Sequence, residues 1–407
     1  MTIKKVFAEE IYTAYGIPTI QCSITLANNQ KVTSAIPAGF PQLDNSAIYR
    51  YDQSEQLFKK GMSEACDYIN STIAPLFEGK PVNVLAMDSE LMDLDLHPKK
   101  ATVGANTTLA VSTAIFKAQA ASENIELFEL LQSISGSKQI KIPQPIFSIF
   151  EGRTSKSQSD IKEVLLIPQE KEFSKNLKAG VMAQHHTKKL LSLQKQPSFT
   201  GSYGSFAPFF STIQETLNIL LDILKTLPYT YQAGINVLAS ELYDQDTKTY
   251  HWNNRALLCQ DLILEYKKLI QQFPLISYIQ SGIADADKEG WQNLTSSLQA
   301  INIVADSTFC TNPMLIRKGV LDNISNTVMI RPEHIGTVSQ TIAAIDACKK
   351  NKRSFIIASD QGATNDTFTS DLAVGTNADF IKSGGVFGGE HIAKYNRLLV
   401  INSYLES

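Results

Sequence analysis

The sequence predicts an α/β protein in which a small N-terminal α+β domain precedes an eight-stranded β/α barrel. Three observations favour this fold. The first 36 residues alternate as strands, and the period then changes to that of helices. From Pro145 onward, short apolar strands alternate with helical patterns. The length of 407 residues fits a small domain followed by a large barrel.

Composition excludes several classes of protein. A hydrophobic content of 43% and a charged content of 19% are typical of a soluble globular chain. The net charge of -3 argues against a nucleic-acid binder. Five scattered cysteines without a CxxC pair predict reduced thiols. The N-terminus lacks a signal-peptide pattern, and no apolar run approaches the roughly 20 residues that span a bilayer, so we expect a cytoplasmic protein with no membrane segment.

The N-terminal domain is predicted from a change of period. Residues 20–26 and 32–36 alternate around an Asn28-Asn29 turn, which indicates two or three antiparallel strands. Helices are predicted around residues 58–69, 101–119 and 126–132. Pro143 and Pro145 interrupt the pattern and indicate a linker. We therefore predict domains at residues 1–138 and 139–407.

The barrel is predicted from seven short apolar segments with helical patterns between them. The stretch between residues 168 and 235 holds two helices and no clear strand. Seven or eight strand-helix units over about 260 residues are typical of a β/α barrel. The predicted strands are 164–167, 235–238, 275–279, 301–304, 327–330, 355–358 and 380–381.

The last of these strands leads into a distinctive stretch. An apolar segment ends in Lys382, and an amphipathic helix begins soon after the loop that follows it. In a barrel, a charged residue at the C-terminal end of a strand lies where functional groups collect. The loop glycines either let the backbone approach an anion at the positive end of the helix or simply make a mobile loop beside a solvated lysine. These glycines are Gly384, Gly385, Gly388 and Gly389.

The stretch IKSGG followed by AKYNRLL resembles the end of enolase, and the resemblance continues from about residue 3 to residue 403. Further matching segments are TAYGIPTIQCSITL, VGANTTLAV, GSYGSFAP, MIRPEHIGT and DLAVG. The resemblance implies an enolase-like N-terminal α+β domain and a C-terminal TIM-type barrel. It also implies the activity of phosphopyruvate hydratase, a magnesium-dependent lyase, and a homodimer formed through the N-terminal domain.

The metal-binding positions depart from the family pattern. Enolases hold magnesium with three carboxylates, and the corresponding positions here are Asn236, Gln280 and Asp306. Two carboxylates have therefore become amides, which supply no charge to a hard cation. Because two lost unit charges at contact distance cost several kcal/mol, we expect no cofactor to bind with high affinity, magnesium included.

The catalytic positions depart as well. The resemblance places Tyr203 where the family has a glutamate and Arg331 where it has the lysine that abstracts a proton. Arginine stays protonated at neutral pH and cannot act as that base. Glu163 and Lys382 are retained, and in enolase this lysine binds the substrate carboxylate. The candidate catalytic residues are Glu163, Tyr203, Arg331 and Lys382.

The substrate-binding positions are the third departure. The family histidines correspond to Ser155 and Ser359, and its phosphate-binding arginine corresponds to Asp360, which would repel phosphate. Pro41 stands where the family's mobile loop has a metal-binding serine. The candidate substrate-binding residues are Ser155, Ser359, Asp360 and Lys382.

Two histidine features remain open. His185-His186 lies on a predicted helix, either as a solvated pair or as part of a metal site. His334 follows Glu333 in a strand-helix loop, where it is either structural or part of a new base-like cluster with Glu163, Asp306 and Asp360.

Three functions are consistent with this pattern. The first is an enolase-fold pseudoenzyme that does not dehydrate 2-phosphoglycerate and serves as a binding, regulatory or scaffolding protein, as a homodimer or with another protein partner. The second is a lyase of changed specificity, in which Arg331 and Lys382 bind an anion and Glu163 or Asp306 acts as base. The third is an enolase with weak activity.

Overall fold

The N-terminal part of the molecule contains a small antiparallel sheet. The structure is a computed structural model that describes residues 1–39, 43–152, 160–209, 212–359 and 361–407. The sheet comprises β1 (Ile3–Tyr12), β2 (Pro18–Leu26) and β3 (Lys31–Ala35), paired antiparallel in that order. Its inner face is apolar, as the alternating pattern predicts.

The helices that follow the sheet begin later than the sequence predicts. The spacing of apolar residues predicts that Phe58 is the first apolar position of a helix, but its side chain is 94% exposed and its φ is 56°. Residues 57–59 all have left-handed φ angles, so regular helix begins only at Ser63. A π-helical turn at Ile69–Ile73 joins the first two helices. The five helices are α1 (Ser63–Tyr68), α2 (Ala74–Phe77), α3 (Val84–Asp93), α4 (Ala105–Glu123) and α5 (Leu127–Ser135).

Helix α4 lies between the sheet and the rest of the molecule. Most of its small side chains are buried, which lets neighbouring elements approach closely. Thr108 Oγ1 donates a hydrogen bond to the carbonyl of Gly336 at 2.8 Å, and Ser112 Oγ accepts one from the backbone N–H of Val338 at 2.9 Å. The two parts of the chain therefore share one continuous core.

The second part is a closed eight-stranded barrel, which confirms the predicted fold. The strand order is β10-β11-β12-β13-β14-β4-β5-β6, and β5 runs antiparallel to both of its neighbours. The strands are β4 (Gln144–Glu151), β5 (Glu163–Pro168), β6 (Tyr231–Asn236), β10 (Ile276–Gln280), β11 (Asn302–Ala305), β12 (Thr327–Ile330), β13 (Ser354–Ala358) and β14 (Phe380–Lys382).

Two strands of the barrel differ from the predicted ones at residues that disturb regular β structure. Strand β4 lies where Pro143 and Pro145 indicated a linker, and Pro145 is the second residue of that strand. The strand predicted at 235–238 ends at Asn236, because Leu238 adopts a left-handed φ of 51°. Three short strands also form a small antiparallel sheet beside the barrel: β7 (Tyr243–Asp244), β8 (Thr249–Trp252) and β9 (Arg255–Leu257).

Helices surround the barrel, and two of them fill the predicted strandless gap between β5 and β6. Within the ranges described, no helix is both long enough and apolar enough to span a membrane. The helices are α6 (Phe173–Leu193), α7 (Ile213–Leu224), α8 (Cys259–Gln272), α9 (Lys288–Ser297), α10 (Pro313–Leu321), α11 (Val338–Lys350), α12 (Phe368–Gly375) and α13 (Gly389–Glu406).

The interior of the barrel is apolar up to the level of the strand ends. One fully buried cluster fills it, so the barrel is a packed core and not a pore. The polar residues at the strand ends form the next layer above it. The members of the apolar cluster are Ile146, Leu165, Ile167, Tyr278, Val304, Met329, Ile356 and Ala358.

Candidate functional site

Seven of the predicted site positions meet at one end of the barrel. Six of them end a parallel strand or directly follow one. Glu163 is the first residue of β5, and the antiparallel direction of that strand brings it to the same end, opposite Asn236. Most are buried, and the side chain of Asp306 is 14% exposed. The seven are Glu163, Asn236, Gln280, Asp306, Arg331, Ser359 and Lys382.

Lys382 and Glu163 form a fully buried ion pair. The Lys382 ammonium lies 2.7 Å from Glu163 Oε2, and the two side chains are 4% and 0% exposed. Glu163 also accepts hydrogen bonds from Asn236 Nδ2 at 2.7 Å and from Ser148 Oγ at 2.7 Å. All three of these donors favour the charged form of the carboxylate.

Gln280 links this pair to a second one. Its Oε1 accepts from Lys382 Nζ at 2.9 Å and from the Tyr278 hydroxyl at 2.9 Å. Its Nε2 donates to Asp306 Oδ2 at 2.8 Å. An amide can accept and donate at the same time, which a carboxylate at this position could not do. Gln280 therefore joins a cation on one side to an anion on the other.

Arg331 and Asp306 form the second ion pair. Arg331 donates from Nε to Asp306 Oδ1 at 3.1 Å and from Nη2 to Asp306 Oδ2 at 3.0 Å, in the two-pronged geometry that suits guanidinium and carboxylate. Its Nη1 donates to the carbonyl of Ser359 at 2.9 Å. We call Ser148, Glu163, Asn236, Gln280, Asp306, Arg331 and Lys382 the strand-end network.

The charges of the strand-end network balance internally. Burial alone would raise the pKa of Glu163, but the positive charge of Lys382 and the hydrogen bonds outweigh it, and the pKa is lowered. The pKa of Asp306 is lowered in the same way, because Arg331 outweighs burial. Two carboxylates face two cations, so the network needs no external ion to neutralise it.

The donor set does not suit the magnesium ion that the family resemblance implies. Both oxygens of Asp306 are bonded to Arg331, and the oxygen of Gln280 is bonded to Lys382 and Tyr278. Asn236 Oδ1 is buried and has no hydrogen-bond partner among the described residues, but one neutral oxygen cannot hold Mg²⁺. Within the described ranges, no three His, Cys, Asp or Glu side chains are grouped to hold a metal.

A third carboxylate, which the sequence analysis did not select, lies above the strand-end network. Glu151 ends strand β4 and is 6% exposed. It accepts hydrogen bonds from the backbone N–H groups of Ser202 at 3.1 Å and Tyr203 at 2.8 Å, and from Ser205 Oγ at 2.7 Å. The described residues supply no cation within ion-pair distance, and burial raises its pKa. Its signal in the sequence was a charged residue directly after a run of apolar ones.

The glycine-rich loop after Lys382 packs against the loop of residues 202–205, which donates the hydrogen bonds to Glu151. Gly385 donates its N–H to the carbonyl of Tyr203 at 2.6 Å. A Cβ atom at Gly384 would lie 2.6 Å from that same carbonyl oxygen, and the φ of Gly384 is 82°. The Lys382 ammonium also lies 5.8 Å from the centre of the Tyr203 ring. These glycines therefore permit close packing between two loops, where the sequence analysis considered an anion site or a mobile loop.

Other predicted positions lie apart from the network or outside the described residues. His186 Nδ1 lies 3.1 Å from Thr226 Oγ1, and His185 packs edge-on against Phe387 on the outer surface. His334 is buried, and its electrostatic interaction with Asp306 is one of the smaller causes that lower the pKa of that carboxylate. Pro41, Ser155 and Asp360 lie outside the described residues.

Acid is expected to weaken the strand-end network. The folded-state pKa values of Glu163 and Asp306 lie below the unfolded values of about 4.3 and 3.9. Their stabilisation is therefore complete above about pH 5 and is lost as the pH falls through the folded pKa values. Between about pH 6 and pH 3.5, the wild type should lose about 0.5–1 kcal/mol more unfolding free energy than the Lys382→Met/Glu163→Gln double variant, measured by urea denaturation, because only the Glu163 titration differs between them. Equal losses would contradict this expectation.

Both parts of the chain are similar in sequence to the same family of known proteins. The family model described as the enolase N-terminal domain matches residues 3–131, and the model described as the enolase C-terminal TIM barrel domain matches residues 139–407. A protein named enolase from Helicobacter pylori (strain ATCC 700392 / 26695) is 34% identical over 417 residues, covering 100% of this chain and 97% of that protein. Enolases from Helicobacter acinonychis (strain Sheeba) and Ehrlichia canis (strain Jake) are each 33% identical with the same coverage.

Proposed function

The chain belongs to the enolase family, and we propose that it is a family member that does not dehydrate 2-phosphoglycerate and acts as a binding protein. Its role would be regulatory or scaffolding. The retained N-terminal domain supports a homodimer of the kind that the family resemblance implies, and we place the protein in the cytoplasm. A second protein is the partner class that we favour over a nucleic acid, because the net charge of -3 disfavours polyanions.

The observation that supports this proposal is the internal charge balance of the strand-end network. A metal-dependent lyase needs carboxylates that are available to a cation and a base that can lose its proton. Here Glu163 is paired with Lys382, and Asp306 is paired with Arg331. The same pairing argues against Lys382 and Arg331 as binders of a substrate anion, since each already has a buried carboxylate.

A second candidate function rests on Glu151. A buried carboxyl group that is held by neutral donors and has a raised pKa is suited to donate a proton. It lies at the barrel end where enzymes of this architecture carry their active sites. In this alternative, the protein is a lyase of changed substrate that uses Glu151 as its acid. A Glu151→Gln variant would then abolish any turnover while leaving ligand binding largely intact.

Magnesium titration by calorimetry, with and without 2-phosphoglycerate, tests the proposal together with a turnover assay. We expect no binding heat up to about 10 mM Mg²⁺ and no turnover, because the donor set lacks two of the three family carboxylates. Magnesium binding together with turnover would overturn the proposal. Binding of 2-phosphoglycerate without turnover would support a ligand-binding role over a scaffolding role.

A further inference from the structure

A basic pocket opens at the opposite end of the barrel from the strand-end network. It has a volume of about 420 Å³ and lies where the chain enters β13 and β14. Its walls come from the end of α5, the linker that leads to β4, and the two helix-strand loops that precede β13 and β14. Pockets of roughly 300–1,000 Å³ suit small-molecule ligands.

Most of the charged side chains that line the pocket are positive. The chain as a whole carries a net charge of -3, so this local positive surplus runs against the overall balance. The only carboxylate among the lining residues is Asp379, whose Oδ1 lies 3.0 Å from Lys141 Nζ. Lys349 Nζ donates to Ser137 Oγ at 2.6 Å, and burial lowers the pKa of this lysine. The five cations are Lys138, Lys141, Lys349, Lys352 and Arg353.

Arg353 carries a polar atom that has no partner among the described residues. Its Nε is buried, and within the described part of the chain it has no hydrogen-bond acceptor. Asn377 Oδ1, on the adjoining loop, is likewise buried without a donor among the described residues. Both residues line the pocket, and the hydrogen bonding of their side chains is incomplete within the described ranges.

The dipole of helix α11 explains the positions of only some of the five cations of the pocket. Lys349 and Lys350 lie in the last turn of α11, where basic residues complement the negative end of the helix dipole. Arg353 lies beyond that turn, and Lys138 and Lys141 come from a different segment. Convergence of cations from two separate segments, 138–141 and 349–353, on one concavity is an arrangement that suits phosphate.

We propose that this pocket binds a small phosphate-bearing anion, with Arg353 as its principal contact and Lys138, Lys349 and Lys352 around it. A guanidinium with no carboxylate partner can donate two parallel hydrogen bonds to phosphate oxygens. The site is separate from the strand-end network, so it does not depend on whether the barrel retains any catalysis. Occupancy would tie the linker before the barrel to the loops that precede β13 and β14.

Calorimetric titration of the full chain with inorganic phosphate, pyrophosphate and citrate at low ionic strength tests this assignment. We expect one pyrophosphate per chain, bound more tightly than phosphate or citrate. Arg353→Gln should weaken binding about tenfold, and Lys138→Gln, an exposed change that cannot disturb the core, about threefold. Lys350→Gln is the matched control: it removes the same charge one residue from Lys349, but Lys350 pairs with Asp346 outside the pocket, so affinity should change less than twofold.

Four results would overturn the proposal. One is the absence of heat with every probe up to about 10 mM, and another is an equal loss of affinity in the Arg353→Gln and Lys350→Gln variants, which would indicate non-specific attraction to surface charge. The third is citrate binding as tightly as pyrophosphate, which would exclude phosphate recognition. The fourth is a Lys382→Met variant that still unfolds cooperatively in urea but no longer binds, which would place the ligand at the strand-end network.

Discussion

Replacing Lys382 with methionine is expected to lower the free energy of unfolding by about 3–5 kcal/mol at pH 7. The substitution preserves most of the side-chain volume but leaves Glu163, which is 0% exposed, without its cation. Ser148 and Asn236 still donate to the carboxylate, but two neutral donors do not replace a charge at 2.7 Å. Urea denaturation measured through the transition midpoint reports the change.

A double variant separates the ion pair from side-chain packing. Lys382→Met combined with Glu163→Gln should recover at least half of the loss, because glutamine carries no charge and the Asn236 amide can rotate to present its unpaired oxygen. Lys80→Met is the control, since the Lys80–Glu90 pair is 3.0 Å apart but exposed, and its loss should cost less than about 1 kcal/mol. A Lys382→Met change as mild as the control would show that the buried pair contributes little.

The barrel could be predicted because its strands are short apolar runs separated by helical patterns. Where the prediction was wrong, a local feature conflicted with the tertiary structure. Strand β4 was predicted as a linker because of two prolines, although a proline near the start of a strand removes few of the hydrogen bonds that pair it with its neighbours. Phe58 fitted a helical period by coincidence, while its backbone adopts a left-handed turn. The small β7–β9 sheet has strands of two to four residues, too short to produce a periodic pattern.

The positions of the candidate site could be predicted, but their partners could not. Lys382 was identified by its place at a strand end and the other residues by the family resemblance, and seven of them lie together. Which cation pairs with which anion depends on distances of 2.7–3.1 Å between strands far apart in sequence. The bridging role of Gln280 follows from that geometry alone. Glu151 was not predicted, because the family resemblance assigned a functional role to the nearby Ser155 and none to Glu151.

Restoring two carboxylates is expected to make the protein dependent on a divalent cation. In an Asn236→Asp/Gln280→Glu variant, the new carboxylates lie against Glu163 and Asp306, where the amide nitrogens now donate at 2.7 and 2.8 Å. Two unit charges about 4 Å apart repel by about 4 kcal/mol at an effective dielectric constant of 20. Without a cation, the unfolding free energy at pH 7 should therefore fall by about 4 kcal/mol or more. Thermal melting with EDTA and with about 10 mM Mg²⁺ measures both effects.

Magnesium should recover much of that stability, because a hard cation can neutralise the two added carboxylates beside Glu163 and Asp306, and acid should recover part of it by protonating them. The matched control is Asn28→Asp/Gln30→Glu, the same substitutions in an exposed turn, which should change the melting temperature little and show no response to magnesium.

Adding Arg331→Lys should still give no turnover of 2-phosphoglycerate, since Tyr203 and Asp360 remain at family functional positions. A magnesium-insensitive variant would mean that the strand ends no longer form a metal-binding geometry. Measurable turnover would instead mean that hydratase activity on this chain depends on these three positions alone.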